Sequence, residues 1–139
     1  MNLTVGDRFE KRFTFARDDI VDFARLVEDW NPIHHDAEFA SATRFGGLIA
    51  SGAHTVAYLM AFCAAETTRS GPGVGLEFTF RLVGPAKPDE ELTFCWEVTG
   101  IEPSERPLGR LVALRGAVTA PGGRTVVEAS ATVLSVDRL

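Results

Sequence analysis

The chain has 139 residues, 45% of them hydrophobic, with 14 basic and 19 acidic side chains and a formal net charge of −5 at pH 7. That length suits one folded domain, residues 1–139, burying roughly two-thirds of the surface its unfolded form exposes. Acidic and basic residues are interspersed, which excludes a nucleic-acid footprint and a basic membrane-binding face.

In chain order, a strand is expected around Phe9 to Phe15. From Ile20, the residues Phe23, Ala24 and Val27 form an apolar stripe at helical spacing, and Asp18 and Asp19 complement the dipole of the first turn. This predicts an amphipathic helix ending near Asp29. Pro32 lacks an N–H and pushes Asn31 toward extended geometry, so "NPIHHD" reads as a loop. A short helical piece from Ala37 to Thr43 follows.

The pair Gly46 and Gly47 then breaks the chain before an alanine-rich helix from about Gly52 to Glu66. Val56, Leu59, Met60 and Cys63 mark one face, and Ala53, Ala57, Ala61, Ala64 and Ala65 cover much of the rest. So apolar a helix is expected to be the buried one. Ser51 is a plausible N-cap, with Gly52 in the first turn. The longest apolar run, around Val56 to Ala65, is too short to span a bilayer and contains Tyr58. With no basic-then-apolar leader at the start, a cytoplasmic protein is expected.

After Gly73 the period changes to two. Val74, Leu76, Phe78, Phe80 and Leu82 alternate with smaller or polar residues, as a sheet with one face on a core requires. Further strands are expected over Leu92 to Val98, Arg110 to Thr119 and Thr125 to Val136. The connectors are "GPAKPD", "EPSERPLG" and "APGG". The expected class is α+β, an antiparallel sheet of about five strands covering the long helix. Cys63 and Cys95 have neither metal spacing nor a disulfide framework and read as reduced structural thiols.

The chemistry concentrates in "DWNPIHHDAEF", residues 29–39. Asp29 at the helix end and His34 beyond the proline can be turned onto one water. Asn31 can fix the loop through its side-chain amide. The start of the long helix adds backbone N–H groups with partial positive charge, approached closely at Gly52, where there is no side chain. Together these offer a base for water, an acid, and donors for a developing negative charge. A metal site is disfavoured, because His34, His35 and Asp36 are consecutive with no second cluster. His35 and Asp36 read as structural or exposed and His54 as a core or interface histidine. Ser51 reads as a cap, since "IASGA" lacks the nucleophile elbow. Trp30 either lines a pocket or packs beneath the loop.

"FARLVEDWNPIHHDAEFA" followed by "FGGLIASGAH" resembles the MaoC-like, (R)-specific enoyl-CoA hydratase family, strongly over residues 20–60. The family signature is an Asp-x-Asn-Pro-x-His segment followed by an apolar-Ala-x-Gly segment. The resemblance implies a single hot-dog domain, catalysis by Asp29 and His34, and a role for the Gly52 N–H. It places Asn31, Ser51 and Gly52 on the substrate side. Many relatives carry His where Ser51 stands, a change expected to alter substrate shape more than chemistry.

The implied substrate is an acyl thioester of coenzyme A or acyl carrier protein, with no cofactor and no metal. The implied assembly is a homodimer joined edge to edge with the site near the interface. A hot-dog thioesterase and a non-catalytic acyl-thioester-binding subunit are the alternatives. Arg44, Arg69, Arg81 and Lys87 are candidates for the carrier's phosphates.

Overall fold

A computed structural model describes residues 2–105 and 108–136. Strand β1 (Arg8–Thr14) leads into helix α1 (Arg17–Leu26), a 3₁₀ turn (Pro32–His34), a short helix α2 (Ala37–Ser41) and the long helix α3 (Gly52–Thr67). Four strands complete the chain: β2 (Gly73–Leu82), β3 (Glu91–Glu105), β4 (Leu108–Thr119) and β5 (Thr125–Ser135). They form one sheet in the order β1-β3-β4-β5-β2 with every pair antiparallel.

Alternation builds the core. Leu92, Phe94, Trp96 and Val98 of β3 face inward with Val112, Leu114 and Val118 of β4, and meet Leu59, Phe62 and Cys63 of α3. Trp96 Nε1–H donates to the Leu59 carbonyl at 2.9 Å, tying sheet to helix through a buried polar contact. Gly116 makes room for the ring: a Cβ there would lie 2.6 Å from Trp96 Cε3. Among the described residues no helix is long and apolar enough to cross a membrane.

Three expectations need correction. Helix α1 stops at Leu26 rather than near Asp29, because Glu28 takes a left-handed conformation (φ 61°) that an α-helix cannot contain. Strand β3 continues through Glu105, so Pro103 lies in a strand rather than a connector. It is tolerated because β1 pairs with β3 only as far as Glu97, leaving Pro103 where β3 has a single neighbour. Helix α3 is buried on one face only. His54, Thr55, Leu59, Phe62 and Cys63 are covered, whereas Ala53, Ala57, Met60, Ala61 and Ala64 are exposed, since one chain's sheet wraps one side of the helix.

Candidate active site

The segment after α1 is held by a chain of local hydrogen bonds. The Asp29 N–H donates to the Ala24 carbonyl at 2.8 Å, turning the chain back on the helix. The Asn31 N–H donates to Asp29 Oδ1 at 3.1 Å, and the Ile33 N–H donates to Asn31 Oδ1 at 3.2 Å. Pro32 therefore opens a capped 3₁₀ turn, where its missing N–H costs nothing. Ile33 sinks into a small apolar cluster with Ala40 and Leu48 and anchors the turn beside the next segment.

His34 is oriented from both sides. Its Nδ1 lies 2.8 Å from the Ile49 carbonyl, an acceptor, so Nδ1 carries the hydrogen. Nε2 faces Asp29 Oδ2 at 3.3 Å. Asp29 thus has one oxygen on a backbone N–H and the other on the imidazole. The imidazole is almost fully buried, and the carboxylate is about one-third exposed.

Past Ile49 the chain enters α3. The Ala50 N–H donates to the Ala86 carbonyl at 2.8 Å, and the His54 N–H donates to Ser51 Oγ at 3.2 Å, so Ser51 is the N-cap. A cleft of about 550 Å³ opens at this point, with His34, Gly52, Thr55 and Leu82 in its wall. Arg44 and Lys87 also line it. Of the other two cations considered, Arg69 pairs with Glu66 at 2.9 Å, and Arg81, on β2 next to Leu82, is not among the cleft's lining residues.

The structure brings His34 and Gly52 to one cleft and reaches Asp29 through His34. Neither Asn31 nor Ser51 lines that cleft. The Asn31 carboxamide oxygen accepts within the turn, and the Ser51 hydroxyl oxygen accepts at the cap. His35 has an inward contact: its Nε2–H donates to the Asp29 carbonyl, with the two atoms 2.6 Å apart, and its ring stacks on exposed Trp30 at 5.5 Å. Trp30 therefore packs on the loop, outside the cleft. Asp36 caps α2 through Phe39 N–H at 3.0 Å.

Sequence reasoning missed Thr55 and Leu82. Thr55 carried a weak signal, a hydroxyl three residues after Gly52 on a largely apolar helix. Leu82 carried none, being the last apolar residue of an alternating strand.

Three titratable groups outside the cleft are shifted by burial, His54 and Cys63 on α3 and half-buried Cys95 on β3. Burial pushes the His54 pKa down to about 4, partly offset by the charge of Asp19. Its Nδ1 is buried without a hydrogen-bond partner among the described residues, and the ring stacks on Phe23 at 4.2 Å. Burial pushes the Cys63 thiol up to about 12 and raises that of Cys95.

A five-stranded antiparallel sheet curled over one long helix, with an acid and an imidazole at the helix start, is a hot-dog fold of the hydratase kind. The chain belongs to the MaoC-like domain family, whose profile, described as "MaoC like domain", matches residues 5–112. It is 30% identical over 122 residues to an (R)-specific enoyl-CoA hydratase of Rhodospirillum rubrum, covering 87% of this chain and 80% of the relative. It is also 30% identical over 133 residues to an (R)-specific enoyl-CoA hydratase of Aeromonas caviae, covering 91% and 96%. The solved structure of an (R)-hydratase from A. caviae involved in PHA biosynthesis superposes with a TM-score of 0.84 at 25% identity, covering 94% of this chain and 96% of that one.

Proposed function

We propose that this protein is an enoyl-CoA hydratase, adding water to 2-enoyl thioesters and, in reverse, dehydrating 3-hydroxyacyl thioesters. The observation that carries the reading is the 3.3 Å approach of Asp29 Oδ2 to His34 Nε2, beside a cleft that also meets the start of α3 at Gly52. The relatives named as enoyl-CoA hydratases support the reaction class. A 3-hydroxybutyryl-CoA dehydratase of Methylorubrum extorquens, 34% identical over 89 residues, supports the reverse direction.

In the proposed step a water held by Asp29 and His34 gives its hydroxyl to C3 of the enoyl group. The pair takes the water's proton, and the double-bond electrons move onto the thioester oxygen. The Gly52 N–H, at the positive end of α3, meets that oxygen. A proton delivered to C2 then restores the thioester, so one water is added and no redox partner is needed. Arg44 and Lys87 supply charge for the carrier's phosphates. The carrier is coenzyme A on this reading, and the reaction takes place in the cytoplasm.

The working unit is proposed to be a homodimer with its sites near the interface. The exposed alanine face of α3 supports this, and so does the contrast between the sheet edges. Strand β1 presents Arg8, Glu10, Lys11 and Arg12, which discourage strand addition, whereas β2 exposes Val74, Leu76 and Leu82. Light scattering should give the mass of two chains; a fully active monomer would defeat this part.

The test of function is a panel of trans-2-enoyl-CoA esters of varied chain length, followed for loss of conjugated absorbance and for thiol release. Loss of absorbance without free thiol is expected. Thiol release would point to a thioesterase instead, and no change in either signal would sink the enzymatic reading.

A further inference from the structure

Thr55 is 2% exposed and lines the cleft beside Gly52 and His34. Its hydroxyl has an obvious local partner, the carbonyl four residues back, as threonines in helices often do. Thr67 and Thr68 at the other end of α3 follow that habit, donating to the Cys63 and Ala64 carbonyls at 2.8 and 2.6 Å. Thr55 makes no such bond to Ser51 among the described residues. The residue is buried, but its hydroxyl is not sealed in: among the described residues His54 Nδ1 is the buried side-chain polar atom without a partner, so the unspent Thr55 donor opens onto the wall of the cleft.

Direction follows from helix geometry. Side chains on an α-helix tilt back toward its N-terminus, so a residue three places after Gly52 covers the first turn on Gly52's own face. The Thr55 hydroxyl and the Gly52 N–H therefore converge on one region at the positive end of the helix. Charge that develops there is stabilised by every donor already in place, because none has to reorganise during the step.

We propose that the Thr55 hydroxyl is a second hydrogen-bond donor to the thioester oxygen, acting with the Gly52 N–H as that oxygen gains negative charge. The inference rests on the hydratase reading and adds a residue to its machinery. The chemical class recognised is a thioester carbonyl, whatever acyl chain it carries.

The experiment compares the full-length wild type with Thr55→Val, which keeps the shape and removes the hydroxyl, and Thr55→Ser, which keeps the hydroxyl. With a short unbranched trans-2-enoyl-CoA ester, the Val variant should lose on the order of 10²-fold in kcat, as deletion of an oxyanion donor does. KM should move far less, and the Ser variant should recover most of the rate. A bound aryl-acryloyl thioester, whose absorbance moves to longer wavelength when its carbonyl is polarised, should show a smaller shift in Thr55→Val than in the wild type. If Thr55→Val fails to fold, Thr55→Ala takes its place with the same expectations.

Turnover by the Val variant near the parent rate overturns the proposal. So does a loss confined to KM, an equal loss in Thr55→Ser, or an unchanged spectral shift. A wild type inactive on every ester in the panel would instead sink the hydratase reading itself, so the two failures are distinguishable.

Discussion

The Leu82 side chain lies across the Cα of Gly52, so closely that a Cβ at position 52 would overlap Leu82 Cδ1. Leu82 ends an edge strand and is 57% exposed, so its side chain can swing aside at little cost. Gly52→Val should therefore fold, with far-UV circular dichroism close to the parent. Its branched side chain would occupy the space where the thioester oxygen approaches the helix, and kcat should fall by about 10²- to 10³-fold. Near-parental turnover in steady-state assays would rule Gly52 out as the oxygen's seat.

Asp29→Asn and His34→Ala should each lower turnover by roughly 10²- to 10⁴-fold, the range for a positioned acid or base. The double variant should be little worse than the poorer single one, because residues acting as a unit are not additive. His35→Ala is an informative neighbour. It deletes the bond to the Asp29 carbonyl without touching the His34 ring, so its loss should be smaller than that of His34→Ala. Equal damage from both histidine variants, with the fold retained, would reverse the roles.

His54 makes stability depend on pH. Its pKa falls from 6.5 in the unfolded chain to about 4 in the folded one, so between those values the unfolded state binds the extra proton. The stability contributed by neutral His54 is present above pH 6.5 and drains as pH falls toward 4, by about 3 kcal/mol in all. Thermal unfolding of His54→Phe across that window should give a flatter profile than the wild type. Parallel profiles for the two proteins would show that another group sets the acid limit.

Arg124 braces the cleft from outside it. Its Nη2 donates to Glu90 Oε1 and Oε2 at 2.9 and 3.0 Å, and Nη1 donates to the Pro85 carbonyl at 2.7 Å. The same loop supplies Ala86, whose carbonyl fixes Ala50 just before the α3 cap. Lysine cannot reproduce the planar fork. Arg124→Lys should cost about 1 kcal/mol, a drop in Tm of roughly 3–5 °C. It should raise KM more than it lowers kcat, because it loosens a wall and leaves the reacting groups alone. A large fall in kcat with KM unchanged would contradict that division.

The inner strands were legible from sequence because one face of the sheet is wet and the other dry, so Leu92 to Val98 alternates cleanly in burial. Edge strand β2 alternates in sequence only: its register shifts between Gly75 and Glu77, Phe78 and Phe80 pack on the core, and Val74, Leu76 and Leu82 stay exposed, against the expectation that the whole apolar row faces inward. The end of α1 was harder. Pro32 advertises a break, but the break comes earlier, at Glu28, whose left-handed backbone has no signature in residue type. Pro103 misled in the opposite direction, since a proline argues against a strand unless the strand lacks a second neighbour, and neighbours are a property of the whole sheet. At the site, the acid, the imidazole and the glycine came from a motif and could be named. Which nitrogen of His34 faces Asp29 depends on the Ile49 carbonyl, fifteen residues on, and the place of Leu82 in the cleft wall depends on where a strand ends against a helix.

Cys63 gives the molecule an internal clock. Its sulfur is fully buried against the sheet and its thiol is held protonated up to about pH 12, so an alkylating reagent at neutral pH finds no thiolate while α3 stays seated. Labelling at this position can proceed only through excursions that lift the helix from the sheet. When reclosing outpaces alkylation, the labelling rate reports the population of those excursions. A timed alkylation read by mass would therefore measure how often the hot-dog opens without adding any probe, and a ligand that grips the start of α3 would slow that clock.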